Sequence, residues 1–130
     1  MAIKITIEQK RLVEKQTVAL ATSDLDKRPN VIAVAFCKVV APDKILITDN
    51  FMNKTRRSLL ANDRVALAVW SNDWDEGYQF KGVGRYLTSG KWKKVVDVEP
   101  NNKDLAHKAA VLITVDEIWD LAKPRLIAQR

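Results

Sequence analysis

The sequence predicts a mainly β chain with short helices, folded as a six-stranded antiparallel barrel, on three observations. Period-two alternation of large and small residues returns at 17–22, 31–36, 45–48 and 65–70, one longer extended stretch runs from 78 to 89, and a closing strand follows at 109–115. No strand–helix–strand rhythm of the kind that builds a parallel sheet links these segments. The connections are short and polar, with Pro, Asn, Asp or Gly where the chain must turn.

Each element has a local cause. Thr6, followed three residues later by Gln9, has capping-box spacing and predicts a helix through about Gln16. The first strand follows at once over 17–22, and a charged, Pro-containing turn at 24–30 ends it. Strands at 31–36 and 45–48 come next. Residues 53–62 predict a short helix, with Leu59 and Leu60 on one side and Asn62 and Asp63 stopping it. A fourth strand at 65–70 leads through the loop 71–77 into the long stretch 78–89, where Gly82 and Gly84 predict bulges or a bend. Residues 91–98 form a further helix with Trp92 and Val95 or Val96 inward, broken by Pro100, and 109–115 close the sheet.

The chain of 130 residues, 47% hydrophobic and 29% charged, fits one domain able to hold a core without disulfides. No repeat, low-complexity tract or linker divides it. The opening residues lack the pattern of an export signal, and no apolar run nears the roughly 18 residues that crossing a bilayer requires. With Cys37 the single cysteine, a cytoplasmic location without membrane association is expected. Cys37 ends an apolar strand and should be buried as a small hydrophobe. The net charge of +6 favours anionic partners, and nucleic acid, a phosphorylated small molecule or solubility alone would each account for it.

Position narrows the choice. Three strands carry alanine on one face: Ala19 and Ala21, Ala33 and Ala35, Ala66 and Ala68. Such a face fits the taper of a small barrel, accepts a packed helix, or leaves room for a flat ligand. The stretch 45–60 carries more chemistry. Its strand ends in Thr48, Asp49 and Asn50, and after Phe51 and Met52 a helix starts at Asn53, Lys54 and Thr55. Unpaired amides, the helix dipole, the Thr55 hydroxyl and the Lys54 ammonium converge there, which suits a phosphate, with Arg56 or Arg57 a further donor if it turns inward. A plain N-cap followed by solvated cations accounts for the same residue types. It leaves unexplained why cations stand in a first turn, where the dipole disfavours them without an anion.

Other candidates are weaker. His107 lacks the serine elbow or cysteine neighbour a hydrolase needs and reads as a surface histidine. One His and one Cys far apart in sequence give no metal pair, so no metal is expected. Trp70 belongs in the core or a dimer interface, Trp74 is a candidate lid, and Trp119, placed after the last strand, caps the barrel or a dimer seam. No Gly-x-Gly-x-x-Gly fingerprint is present. The alternative reading is a small basic barrel that binds nucleic acid, with cations at 54–57, 91–94 and 123–130 and Tyr78, Phe80 and Tyr86 as a stacking platform. Its cations are interspersed with acids, and the Lys54–Thr55 block suits one phosphate better than a backbone track, so no nucleic acid is expected.

The order and spacing of these pieces resemble the FMN-binding split barrel family, which is related to pyridoxamine 5′-phosphate oxidase. The likeness runs through 45–71, continues at 78–82 and 86–90, resumes at 108–115, and so spans nearly the whole chain. The resemblance implies a six-stranded antiparallel split β-barrel that holds FMN noncovalently at a homodimer interface. It implies that Lys54 and Thr55, with Asn53 beside them, hold the flavin phosphate. Ala33, Val34, Ala35 and Phe36, and Thr48, Asp49 and Asn50, are then the contacts to the ring and ribityl chain. Gln79 and Trp92 are expected to be the partner subunit's contribution. The implied chemistry is electron transfer or oxidation and reduction of a small molecule, and no residue identifies the electron donor, the acceptor or a catalytic group. The arginine and histidine contacts that a longer C-terminal section of the full-length oxidase makes to its vitamin phosphate have no counterpart in 116–130, so pyridoxamine phosphate oxidation is not expected.

Overall fold

The computed structural model describes residues 2–130. Thr6 Oγ1 accepts from the Gln9 amide at 3.2 Å while Gln9 Oε1 accepts from the Thr6 amide at 2.9 Å, and this reciprocal cap opens α1 (Ile7–Lys15). Then follow β1 (Val18–Ser23), β2 (Pro29–Val34), β3 (Cys37–Ala41), β4 (Lys44–Asp49), α2 (Lys54–Ala61), β5 (Arg64–Trp70), β6 (Gly77–Leu87), α3 (Lys91–Val98), a 3₁₀ turn at Pro100–Asn102, β7 (Ala109–Asp120) and β8 (Arg125–Gln129). Every pairing is antiparallel, in the order β2-β1-β5-β6-β7-β4-β3. The first half of β7 pairs with β4, and β8 pairs with its second half. The sheet curls into a split barrel whose two margins, β2 and β3, are joined by only Ala35 and Phe36.

The structure has eight strands where the sequence predicts six. β3 is concealed because no turn residue separates it from the strand read at 31–36, and Cys37–Ala41, with Lys38 among apolar residues, does not alternate. The break at Ala35 and Phe36 is a crossing from one sheet margin to the other, not a hairpin, so no turn chemistry marks it. β2 accordingly runs Pro29–Val34 instead of 31–36, and Cys37 opens β3 instead of ending the strand before it. β8 is a mostly exposed edge strand without inward alternation. β7 continues to Asp120, so Trp119 lies within a strand and not after it.

Inward faces supply the core, with Phe80, Leu20, Ile45, Ile47, Leu67, Ile113 and Ile118 fully buried. A smaller cluster of Leu46, Val96, Ala110 and Leu112, joined by Trp92 and Val95, packs α3 on the opposite side of β4 and β7. β6 is bulged between Lys81 and Gly82, and residue 82 must be glycine there, because a Cβ would lie 2.0 Å from the Thr114 carbonyl oxygen. Five of the six alanines form one patch, with Ala19 opposite both Ala33 and Ala68 and Ala21 opposite Ala66, while Ala35 lies beyond the end of β2. Val31, Trp70 and Trp74 stand exposed on the chain, and the two tryptophans stack with centroids 6.3 Å apart. Among the described residues no helix is long and apolar enough to cross a membrane.

Candidate functional site

A cavity of about 660 Å³ opens where the end of β2 faces the segment from β4 to α2, a volume within the ~300–1,000 Å³ range of small-molecule sites. Ile32, Ala33, Val34, Ala35 and Phe36 form one wall. Thr48, Asn50, Phe51, Met52, Asn53, Lys54, Thr55 and Arg57 form the other, and Leu105 joins them. β2 pairs only with β1, so half of its backbone donors and acceptors are free along its other edge.

The polar end of the cavity is the start of α2. Asn53 occupies the N-cap position but its side chain caps no amide, and no acid stands in the first turn. The first amides of α2 therefore lack a side-chain acceptor in a place where Lys54, Thr55 and Arg57 gather. Arg56 is not among them, because its guanidinium lies 5.6 Å over the Tyr86 ring. Thr55 is buried and its hydroxyl accepts from Asn30 Nδ2 at 2.9 Å, while the same nitrogen donates to Thr22 Oγ1 at 3.3 Å.

The loop between β4 and α2 is pinned from behind. Asp49 is fully buried, accepts from the Met52 amide at 2.8 Å and from the Tyr86 hydroxyl, and lies 3.8 Å from Lys108 Nζ. Lys108 Nζ also donates to the Met52 carbonyl at 3.1 Å, and the His107 amide donates to Asn50 Oδ1 at 2.7 Å. Burial, then the hydrogen bond to Asp49, pushes the Tyr86 phenol up to about 12, so it remains a donor to that carboxylate. Asp49 thus shapes the loop, and its side chain is not part of the cavity wall.

The remaining expected residues lie elsewhere in the chain. Gln79 sits on β6 between Ala68 and Trp119 on the alanine side of the sheet. Trp92 packs with the cluster beneath α3, with Lys91 Nζ 4.6 Å over its ring. Neither borders this cavity within one chain. His107 is half-buried and turns its ring to Asp97, 2.8 Å from Nδ1. Lys93, and after it His107, hold the Asp97 carboxyl below the usual carboxylate range. Cys37 is buried, which pushes its thiol up to about 12. A second cleft of about 570 Å³ shares Lys54 and Arg57 with the first, but its Arg28 is already paired with Asp24 and Asp26.

Sequence reasoning missed Ile32, Phe51 and Met52 in the wall, and Leu105 and the supporting Asn30, the last two brought to the site by tertiary closure with no local pattern to announce them. Phe80, expected as part of a stacking platform under the nucleic-acid alternative, is in the core, and Tyr78 and Tyr86 pack against it.

A family model described as pyridoxamine 5′-phosphate oxidase matches residues 5–122. MJ0282, an uncharacterized protein of Methanocaldococcus jannaschii, is 40% identical over 123 residues, covering 92% of this chain and 82% of that protein. Among solved structures, HupZ of Group A Streptococcus superposes with a TM-score of 0.86 at 23% identity, over 97% of this chain and 98% of its own. An FMN-binding protein from Syntrophomonas wolfei gives 0.74 at 18%, over 89% and 85%, and the heme storage protein HutZ from Vibrio cholerae gives 0.65 at 16%, over 98% and 96%. At these identities the solved structures establish the fold, and the family model, matching nearly end to end, establishes the lineage: this split barrel belongs to the pyridoxamine 5′-phosphate oxidase family.

Proposed function

We propose that the protein binds FMN noncovalently in the cavity between β2 and α2, as a homodimer, and transfers electrons to or from a small molecule or a protein partner. The observation that carries this reading is an uncapped helix start lined by Lys54, Thr55 and Arg57, opening into a largely apolar cavity with a small-residue wall. The phosphate would take the first amides of α2, the Thr55 hydroxyl and the Lys54 ammonium, with Asn53 adjacent. Ala33 and Ala35 leave space for a planar ring, and the free edge of β2 and the groups of Thr48 and Asn50 offer hydrogen bonds to its polar rim. Phe36, Met52 and Leu105 keep water from it. Bound FMN would supply the redox chemistry, while the chain sets polarity, hydrogen bonding and access.

The dimer in this reading uses the alanine patch, whose neighbours Val31, Trp70 and Trp74 leave apolar surface uncovered. Gln79 lies on that same face, and it and Trp92 would serve the partner's flavin. Heme is the competing planar ligand, because HutZ is a heme storage protein of the same fold. Against it, the one histidine holds Asp97 and does not line the cavity.

The test is a visible spectrum with FMN, riboflavin and hemin titrations. Yellow colour that survives desalting, and FMN binding at micromolar concentration, are expected. Replacing Lys54 and Thr55 together by Ala should weaken FMN by about 100-fold while leaving riboflavin nearly unchanged, since only FMN carries the phosphate. Equal losses would remove the phosphate from this place, and tight hemin binding with no FMN binding would replace the cofactor.

A further inference from the structure

We infer that two asparagines behind the cavity, Asn30 and Asn102, are positioning residues that lock the cavity threonines as hydrogen-bond donors and so select a ligand rich in acceptors. This inference rests on the FMN reading. A threonine hydroxyl has one proton and two lone pairs, and which of these it presents depends on its neighbours. Asn30 Nδ2 donates to Thr55 Oγ1 at 2.9 Å, and Asn102 Nδ2 donates to Thr48 Oγ1 at 2.9 Å. As oriented, each amide occupies a lone pair from inside the protein; the partners of Asn30 are two hydroxyls, Thr55 and Thr22, and its polarity is part of what we infer.

In the second pair the Val96 carbonyl favours this polarity, which leaves Asn102 Oδ1 buried without a partner. Asn102 is fully buried and its Nδ2 also donates to the Val96 carbonyl at 2.9 Å, so a reversed amide would set two oxygens against each other. For Thr55, the usual outlet of a helical hydroxyl proton is the carbonyl four residues back, and that residue, Phe51, precedes the helix. Among the described residues neither hydroxyl donates to any acceptor in the chain, and both threonines line the cavity. Their protons are left for a ligand. A phosphate oxygen accepts at Thr55, whereas the terminal hydroxyl of riboflavin brings no charge to strengthen that bond. Asn30 therefore acts through Thr55 on the discrimination between the two flavins, and Asn102 acts through Thr48 on atoms the two flavins share.

Asn30→Asp tests the assignment with almost no change of shape. It offers Thr55 an internal acceptor and places a carboxylate behind the phosphate. The expected result is about a 100-fold loss for FMN with less than about a 3-fold change for riboflavin, read by quenching of flavin fluorescence. Asn30→Ala should lose about 10-fold, again for FMN alone, and add nothing when Thr55 is already Val. If Asn30→Asp holds FMN as tightly as the natural chain, or loses both flavins equally, the positioning role is wrong. Lys54→Ala, measured in parallel, separates the two levels. A selective loss there with none at Asn30 keeps the phosphate site and removes the asparagine, whereas an equal loss for both flavins at Lys54 removes the phosphate site itself.

Discussion

At the scale of single residues, one buried carboxylate shapes the loop beside the cavity. Asp49 is fully buried, the Tyr86 hydroxyl and the Met52 amide donate to it, and Lys108, 3.8 Å away, is its nearby cation. Tyr86→Phe removes one donor from a buried carboxylate, which should cost about 1–3 kcal/mol in urea unfolding and lower FMN affinity by loosening the loop 50–53. No change in either would mean the pair is dispensable. Asp97 answers to acid. Its carboxyl is held low by Lys93 and His107, so its folded pKa lies below its unfolded one. The stability it adds is fully present above the ordinary carboxylate range and disappears as pH falls through the lowered value. Asp97→Asn should therefore flatten the acid limb of a stability–pH curve below about pH 4, and an acid limb as steep as that of the natural chain would remove Asp97 from it.

At the scale of elements, the clearest signals were those carried by adjacent residues. The Thr6 and Gln9 cap, the inward alternation of β1 and β5, and the Lys54–Thr55 helix start are each written within a few positions. β3 escaped because a crossing between sheet margins needs no turn residue, and β8 because an exposed edge strand has no buried face to impose alternation. Leu105 and Asn30 reach the site only after the barrel closes, so no window of sequence contains them together with Thr55. Gly82 is the opposite case, where the local cue and the tertiary need coincide. Gly82→Ala would drive a methyl into the Thr114 carbonyl, and should cost about 3 kcal/mol or more by chemical denaturation. A cost below about 1 kcal/mol would show that the bulge relaxes.

At the scale of the whole molecule, the sheet has one face given to the core and another that no helix among the described residues covers over β1, β2 and β5. If two copies meet there, Ala68→Glu should turn a dimer into a monomer in sedimentation and weaken FMN, while far-ultraviolet circular dichroism stays unchanged. A variant that remains dimeric would move the seam to another surface. The two-residue passage from β2 to β3 has a consequence of its own. Because Ala35 and Phe36 join the two margins of an incompletely closed cylinder and both line the cavity, the length of that link sets where the end of β2 stands relative to the start of β3. A residue added to or removed from that link should shift β2 against β3 and carry the cavity wall at 32–36 with it, whereas a substitution at Ala35 or Phe36 changes only the side chain that the wall presents.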